Sequence, residues 1–108
     1  LILDNGFLSA RIDNAANPLS DYVCLVGNCQ MSIIGFKLYE IFGSKHFLGK
    51  SQILLNYVKS KQIISEDSNT NGGIPGSWPL SGHYNSFRLP NWSAKFFIDA
   101  ILISEVLD

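Results

Sequence analysis

Residues 26–58, VGNCQMSIIGFKLYEIFGSKHFLGKSQILLNYV, decide the fold because two apolar helical patterns lie on either side of Gly43. The first pattern repeats at steps of three and four residues, through Met31, Ile34, Leu38, Ile41 and Phe42. This is the spacing of one helix face, and a glycine directly after it is a typical helix end. The pattern predicts a first helix over about residues 22–42, with Ser20 or Asp21 as its N-terminal cap.

The second pattern begins after Ser44, a residue suited to cap a helix start. Its apolar positions are Phe47, Leu48, Leu54, Leu55 and Val58. The residues that follow are polar, and the exposed face is basic, so we predict a second helix over about residues 45–62. Because so few residues separate the two helices, they should pack antiparallel as a helical hairpin.

A third helix is predicted over about residues 91–107, NWSAKFFIDAILISEVL, with Pro90 or Asn91 in its first turn. Apolar residues lie on nearly every side of this helix, so it must be covered all round. Two helices and a loop cannot surround it, and the simplest cover is additional helices, from further sequence or from another copy. Asp99 is expected to pair with Lys95, one turn earlier.

Residues 63–90 form a long connection rich in glycine and proline. Its second half, together with the start of the third helix, reads NGGIPGSWPLSGHYNSFRLPNW over residues 71–92. Glycines allow sharp turns and prolines stiffen them, whereas the aromatic content is unlike that of a solvated linker. We therefore expect an ordered loop that lines a cavity and presents Trp78, His83, Tyr84 and Trp92.

Composition excludes several classes of protein. The 108 residues suit a single domain, and a net charge of −1 without a cationic stripe predicts no nucleic-acid partner. No apolar run is long enough to cross a bilayer, so no transmembrane segment is expected. Two unpaired thiols favour a reducing compartment, so a cytoplasmic location is predicted. Cys24 and Cys29, five positions apart on a helix, would lie roughly 8 Å apart, too far for a disulfide.

Three segments of the sequence are similar to a known family: residues 24–62, GGIPGSWPLSGHY at 72–84, and PNWSAKFFIDAIL at 90–102. They resemble the C-terminal part of bacterial alpha/alpha-toroid proteins of the squalene-cyclase-like and six-hairpin glycosidase-like kind. The resemblance implies an all-α fold, with residues 1–108 as a C-terminal fragment of one (α/α)6 toroid domain that the remainder of the toroid completes. It also implies a polysaccharide context, and hence a carbohydrate-processing enzyme, glycosidase-like or lyase-like, without a cofactor.

The long loop carries a second part of the resemblance. Gln62, followed by Gly72 and Gly73, is similar to a repeat of terpenoid cyclases in which a helix-ending Gln ties the helix to its neighbour. This chain departs from the repeat in two ways, because Ile74 replaces the usual aromatic residue and the segment IISEDSNTN at 63–71 lengthens the spacing.

The candidate binding residues suit a sugar ligand. Indole rings of Trp78 and Trp92 can stack on the C–H faces of sugars, and side-chain amides can hydrogen-bond hydroxyl groups. The amides considered are Asn28, Gln30, Asn85 and Asn91. His83 beside Tyr84 is the candidate acid–base pair, because histidine titrates near neutral pH. The alternative is that the tryptophans only close the end of the barrel and that His83 is structural.

Two further functions stay open. Protein prenyltransferase beta subunits share the toroid and hold zinc with Asp, Cys and His, and Asp21, Cys24 and His83 occur here in that order, although the Asp–Cys spacing is one residue longer. The other alternative is a noncatalytic module that binds glycans or a protein. Glycoside hydrolysis needs two carboxyl groups about 5 to 10 Å apart, and spacing alone pairs none in this chain.

Overall fold

The structure, a computed structural model, describes residues 2–107. The chain forms three helices and one two-stranded sheet, in the order β1 (Val23–Cys24), α1 (Leu25–Phe42), α2 (Lys45–Lys61), β2 (Ser77–Trp78) and α3 (Asn91–Leu107). The molecule is mostly helical, as the sequence predicts, and each helix lies within three residues of its predicted bounds. The described region measures 42 × 33 × 20 Å along its principal axes, so it is flattened.

The start of α1 differs from the prediction. Val23 and Cys24 are extended and pair antiparallel with Trp78 and Ser77, so the helix begins only at Leu25. Neither Ser20 nor Asp21 caps it; the Cys24 sulfur accepts a hydrogen bond from the backbone N–H of Gly27 instead. Sequence periodicity missed this strand because two residues are too short to show alternation.

Gly43 separates the first two helices in the way the sequence predicts. It has φ 68° and ψ 10°, a left-handed conformation, and its N–H donates to the carbonyl oxygen of Tyr39. The second helix follows at once, with Ser44 extended at its cap position but without a side-chain capping hydrogen bond. The chain therefore reverses within two residues.

The two helices of the hairpin approach each other closely at Gly35. A Cβ atom at Gly35 would lie only 1.9 Å from Ser51 Oγ. Nearby, the Ser32 hydroxyl donates to the carbonyl oxygen of Ser51 at 2.8 Å, and Asn28 Nδ2 donates to that of Leu54 at 3.4 Å. Since contacts nearer the start of α1 reach residues nearer the end of α2, the two helices run antiparallel.

The core is built around α1, which packs against both other helices, whereas α2 and α3 touch each other much less. Its fully buried side chains come from all three helices and from the long loop: Leu25, Cys29, Phe36, Leu55, Val58, Ile74 and Ala100. The predicted cover of α3 is therefore present on one side only. Ile98, Leu102 and Val106 remain exposed.

The long loop is ordered mainly by backbone hydrogen bonds. Ile63 and Gly72 close its first part, because Gly72 N–H donates to Ile63 O at 2.7 Å. The side chain of Gln62 adds a bond from Nε2 to Gly72 O at 2.9 Å, which ties the end of α2 to the loop. The second part joins the start of α1, where Leu25 N–H donates to Gly76 O. These contacts position the aromatic residues considered next.

Candidate functional site

Trp92, in the first turn of α3, is the most exposed of the large aromatic groups that the sequence singles out, with 47% of its surface accessible. Its indole N–H donates a hydrogen bond of 2.7 Å to the phenol oxygen of Tyr84. Tyr84 is half-buried, and its backbone N–H donates in turn to the Ser77 hydroxyl. The exposed ring is thus fixed in orientation by a chain of contacts that reaches the small sheet.

A cavity of about 300 Å³ lies against Trp92. It is bounded by one continuous segment and the first turn of α3, and its lining is Asn85, Arg88, Leu89, Pro90, Asn91 and Trp92. Residues that carry two amides, one guanidinium and one indole ring therefore line a common space. Within the described lining there is no carboxylate, so this cavity can bind hydroxyl groups and stack a ring but lacks a carboxyl acid or base.

The loop beside this cavity holds an unusual backbone conformation. Asn85 and Phe87 are non-glycine residues with positive φ, 47° and 58° respectively. Asparagine tolerates the left-handed region, but phenylalanine rarely enters it, and such residues concentrate at binding and catalytic sites. The conformation is kept by hydrogen bonds from Phe87 N–H to Leu80 O and from Arg88 N–H to Asn85 O.

His83, the candidate acid or base, faces a different cavity of about 190 Å³. This cavity is lined by Asp21, Tyr22, Pro79, Ser81, Gly82 and His83. The imidazole is exposed and contacts the Tyr22 ring edge-on, with 5.9 Å between ring centroids. His83 and Tyr84 are neighbours in sequence but lie at different surfaces. The structure does not bring them together as one catalytic pair.

The three candidate zinc ligands, Asp21, Cys24 and His83, do not lie together. Asp21 and His83 share a cavity, but Cys24 lines another one, where its sulfur caps α1. Across residues 2–107 no group of three His, Cys, Asp or Glu side chains is placed to hold a metal ion. Cys24 pairs with Ser77 of β2, and its sulfur accepts a hydrogen bond from the Gly27 N–H.

Asn28 and Gln30 belong to a third cavity, of about 300 Å³, next to the start of α1. Asn28 is almost fully buried, and its Nδ2 donates to Gly6 O and Leu54 O at 3.0 and 3.4 Å, while its Oδ1 lacks a hydrogen-bond partner. It acts as a bridge between the first turn of the chain and α2. Gln30 is exposed on the rim of this cavity, which apolar residues mostly line.

Trp78 also has a structural position. It is the second residue of β2 and is half-buried, and the ammonium group of Lys61 lies 4.9 Å from its ring centre. The same ammonium lies 5.1 Å from the ring centre of Tyr57. Two aromatic faces around one lysine form a cation–π contact that joins the end of α2 to the loop.

Burial controls the chemistry of the two cysteines. It raises the pKa of the Cys29 thiol to about 12 and also raises the pKa of Cys24. Both thiols are free. A thiol is nucleophilic only as a thiolate, so neither residue is a candidate nucleophile near neutral pH.

The predicted site residues thus divide among separate surfaces: Trp92 lies with Asn91 and Tyr84, His83 lies with Asp21, and Asn28 lies with Gln30. Arg88 was missed by sequence reasoning, which searched for aromatic and amide groups. Its position in SFRLPNW, between two aromatic residues of a glycine- and proline-rich loop, was the available signal. Ser81 lines the same cavity as Asp21 and His83, and nothing in the sequence except its place in the loop indicated this.

Comparison with known proteins gives no relative: no protein-family model, no curated protein and no solved structure matches the chain. Among the helices described over residues 2–107, none has both the length and the apolar character needed to span a membrane.

Proposed function

We propose that this chain binds carbohydrate at the Trp92 cavity, as part of an alpha/alpha-toroid protein that processes polysaccharide. The observation that carries the proposal is the exposed Trp92 ring, held by Tyr84 at the edge of a cavity with two amides and a guanidinium. The family resemblance in the sequence supports the polysaccharide context, and no match to a known protein bears on it.

The chemistry of the cavity suits a sugar. The electron-rich face of an indole attracts the polarised C–H groups of a pyranose ring, and stacking removes apolar area from water. Asn85 and Asn91 each offer a donor and an acceptor to hydroxyl groups. Because the Trp92 ring is already oriented by Tyr84, little conformational entropy is lost when a ligand stacks on it.

Arg88 favours acidic sugars. Within residues 2–107 its guanidinium takes part in no ion pair, and no carboxylate lines the cavity to neutralise it. A guanidinium can bind a carboxylate through two parallel hydrogen bonds, which the carboxyl group of a uronic acid would accept. The proposed ligand is therefore an oligosaccharide that contains uronic acid.

Binding, rather than bond cleavage, is the role proposed for the cavity itself. Glycoside hydrolysis uses a pair of carboxyl groups across the bond that breaks, and the described lining provides none. A glycosidase-like or lyase-like reaction of the full toroid would need its acid and base from outside this cavity.

Intrinsic fluorescence can test the proposal, since Trp78 and Trp92 are the only tryptophans. Titration with uronic-acid oligosaccharides should change the emission of the wild type, and neutral oligosaccharides of equal length should bind more weakly. Because Trp92→Ala removes the fluorescent reporter, isothermal titration calorimetry measures the variants: Trp92→Ala should abolish binding, whereas Trp78→Phe should retain it. Arg88→Gln should remove the preference for acidic ligands and its dependence on salt.

Two outcomes would overturn the proposal. One is binding that is equally strong in Trp92→Ala and in the wild type, which would place the ligand elsewhere. The other is the absence of binding to acidic and neutral oligosaccharides alike, provided that circular dichroism shows a folded wild type.

A further inference from the structure

Helix α3 has two apolar faces, and the fold uses only one of them. Phe97 and Ala100 pack into the core. Ile98, Leu102 and Val106 form the outer stripe of α3, where each is exposed and Val106 keeps 82% of its surface accessible. At about 100° per residue the outer stripe lies roughly 170° from the packed face. An apolar stripe of this kind on a helix is usually covered by a partner.

A groove on the other side of the molecule has the shape to receive such a helix. It is a cavity of about 210 Å³ between α1 and α2, with Met31, Ile34 and Leu38 on one wall and Phe47 on the other. The α1 residues that face α3, including Ile33, Lys37 and Glu40, lie roughly 125° around the helix from this wall. Leu102 and Val106 of the outer stripe line the cavity on the α1–α3 side, so the stripe and the groove lie on different sides of α1.

The two surfaces match in length. From Ile98 to Val106 the outer stripe extends about 12 Å, at about 1.5 Å per residue. Along α1 the exposed apolar positions run from Met31 to Ile41, about 15 Å by the same rise. A helix bearing apolar residues at positions i, i+4 and i+8 is the form in which proteins fill apolar grooves between helices.

The two surfaces also match in charge. Lys50 and His46 line the groove, and α2 contains four lysines and no carboxylate. Glu105 lies beside the outer stripe of α3 and is exposed. In the part of the chain that the structure describes, neither Lys50 nor Glu105 takes part in an ion pair. The outer stripe thus has a carboxylate beside it, and the groove has an ammonium in its lining.

We propose that the outer stripe of α3 docks in the α1–α2 groove of a second copy of this chain. Ile98, Leu102 and Val106 enter the groove, and Glu105 approaches the second copy's Lys50. Because the two surfaces differ, the contact is head-to-tail, and each added copy leaves one groove and one stripe free for another. The proposal does not depend on carbohydrate binding.

Sedimentation velocity over a range of protein concentrations tests this contact. The wild type should form dimers and larger species as the concentration rises. Leu102→Asp on the outer stripe and Ile34→Asp in the groove should each be monomeric, because every copy then lacks one of the two surfaces. Ile64→Asp, at an exposed apolar residue of the loop, is the matched control and should associate like the wild type.

Mixing the two monomeric variants gives the sharper test. Leu102→Asp retains an intact groove and Ile34→Asp retains an intact stripe, so an equimolar mixture should form dimers and nothing larger. A symmetric contact through one surface would instead leave one of the variants dimeric on its own. Circular dichroism should show unchanged helix content, since both positions are exposed.

Charge exchange supplies a second readout that leaves the apolar surfaces intact. Lys50→Glu and Glu105→Lys should each weaken association alone. Mixing these two variants should restore it, because the introduced carboxylate of one copy then meets the introduced ammonium of the other. The proposal would be overturned if the wild type stayed monomeric. It would also be overturned if the Leu102→Asp variant still associated, or if a mixture of Leu102→Asp and Ile34→Asp remained monomeric.

Discussion

The α1–α2 hairpin and loop 63–90 are both well ordered, but different forces fix them. In the hairpin, fully buried apolar side chains such as Phe36 and Leu55 fill the space between helices, and Gly35 lets the backbones approach. In the loop, order comes from backbone hydrogen bonds and from small residues such as Gly76 and Ser77, which are buried where larger residues would not fit.

This difference separates stability from function in the molecule. The hairpin contributes most of the buried apolar residues and so should carry most of the stability, because the free energy of folding scales with apolar burial. The loop adds Ile74 to the core and sets the position of Tyr84, and through it of Trp92. Changes in the hairpin should therefore act on unfolding, and changes in the loop should act on ligand binding.

The largest effect is expected in the hairpin, at Phe36. This side chain is fully buried at the centre of α1, so Phe36→Ala should lower the free energy of unfolding by about 3 to 5 kcal/mol through lost burial and a residual cavity. Urea denaturation followed by circular dichroism measures it.

Phe42, on the same helix, provides the matched control for Phe36. It is 69% exposed and contacts the Phe47 ring at 6.4 Å between centroids. Phe42→Ala should therefore cost less than about 1 kcal/mol. Equal losses at the two positions would show that burial in the hairpin does not set stability.

A pH dependence should also arise in the hairpin, from Cys29. Burial, and to a smaller extent the charge of Cys24, raises the pKa of Cys29 from 9.0 to about 12. Between these values the unfolded chain has lost the proton that the folded chain keeps, so stability falls as the pH rises. Below pH 9 both states are protonated and the stability is intact. The slope should reach at most about 1.4 kcal/mol per pH unit.

Chemical denaturation between pH 8 and pH 11 tests the role of Cys29. Cys29→Ala should flatten the decline relative to the wild type. The Cys24→Ser variant keeps an oxygen atom that can cap α1, and it should retain most of the decline in stability with pH. Since burial also raises the pKa of Tyr57, a remaining decline above about pH 10 is expected in every variant. An unchanged slope in Cys29→Ala would contradict the expectation.

Sequence patterns predicted the three helices because apolar periodicity and Gly43 act locally. They also predicted the Lys95–Asp99 ion pair, which is present at 2.6 Å, since residues four apart on a helix are neighbours. Gln62, for which the resemblance implied a tie to a neighbouring helix, donates from Nε2 to Gly72 O in the loop that follows its own helix. Each of these features depends on residues within one element or one tight connection.

The candidate site was harder to predict because it depends on contacts distant in sequence. Asn28 was expected to bind ligand, but the buried Gly6 turn and α2 occupy its amide. Trp78 was grouped with Trp92, yet the pairing of β2 with β1 and the approach of Lys61 place it elsewhere. Composition shows that a loop holds aromatic residues, but not which of them its backbone turns outward.

A substitution at Gly76 should affect stability less than one at Phe36, but it gives the most information about the loop. A Cβ atom there would lie 2.7 Å from Asn85 Cβ and 3.0 Å from Tyr84 O, neither of which can move without the loop backbone. Gly76→Ala should cost about 1 to 3 kcal/mol and should weaken oligosaccharide binding, because displaced Tyr84 no longer holds Trp92.

Gly49, in α2, gives the opposite expectation for the same substitution. No atom lies within 4 Å of the Cβ position there, so Gly49→Ala should raise stability by about 0.5 to 1 kcal/mol through better helix propensity. Thermal unfolding and tryptophan fluorescence titrations of both variants measure stability and binding separately. If Gly76→Ala loses stability but binds oligosaccharide as the wild type does, the loop contributes to the fold without positioning Trp92. That result would contradict the expectation that changes in the hairpin act on unfolding and changes in the loop act on ligand binding.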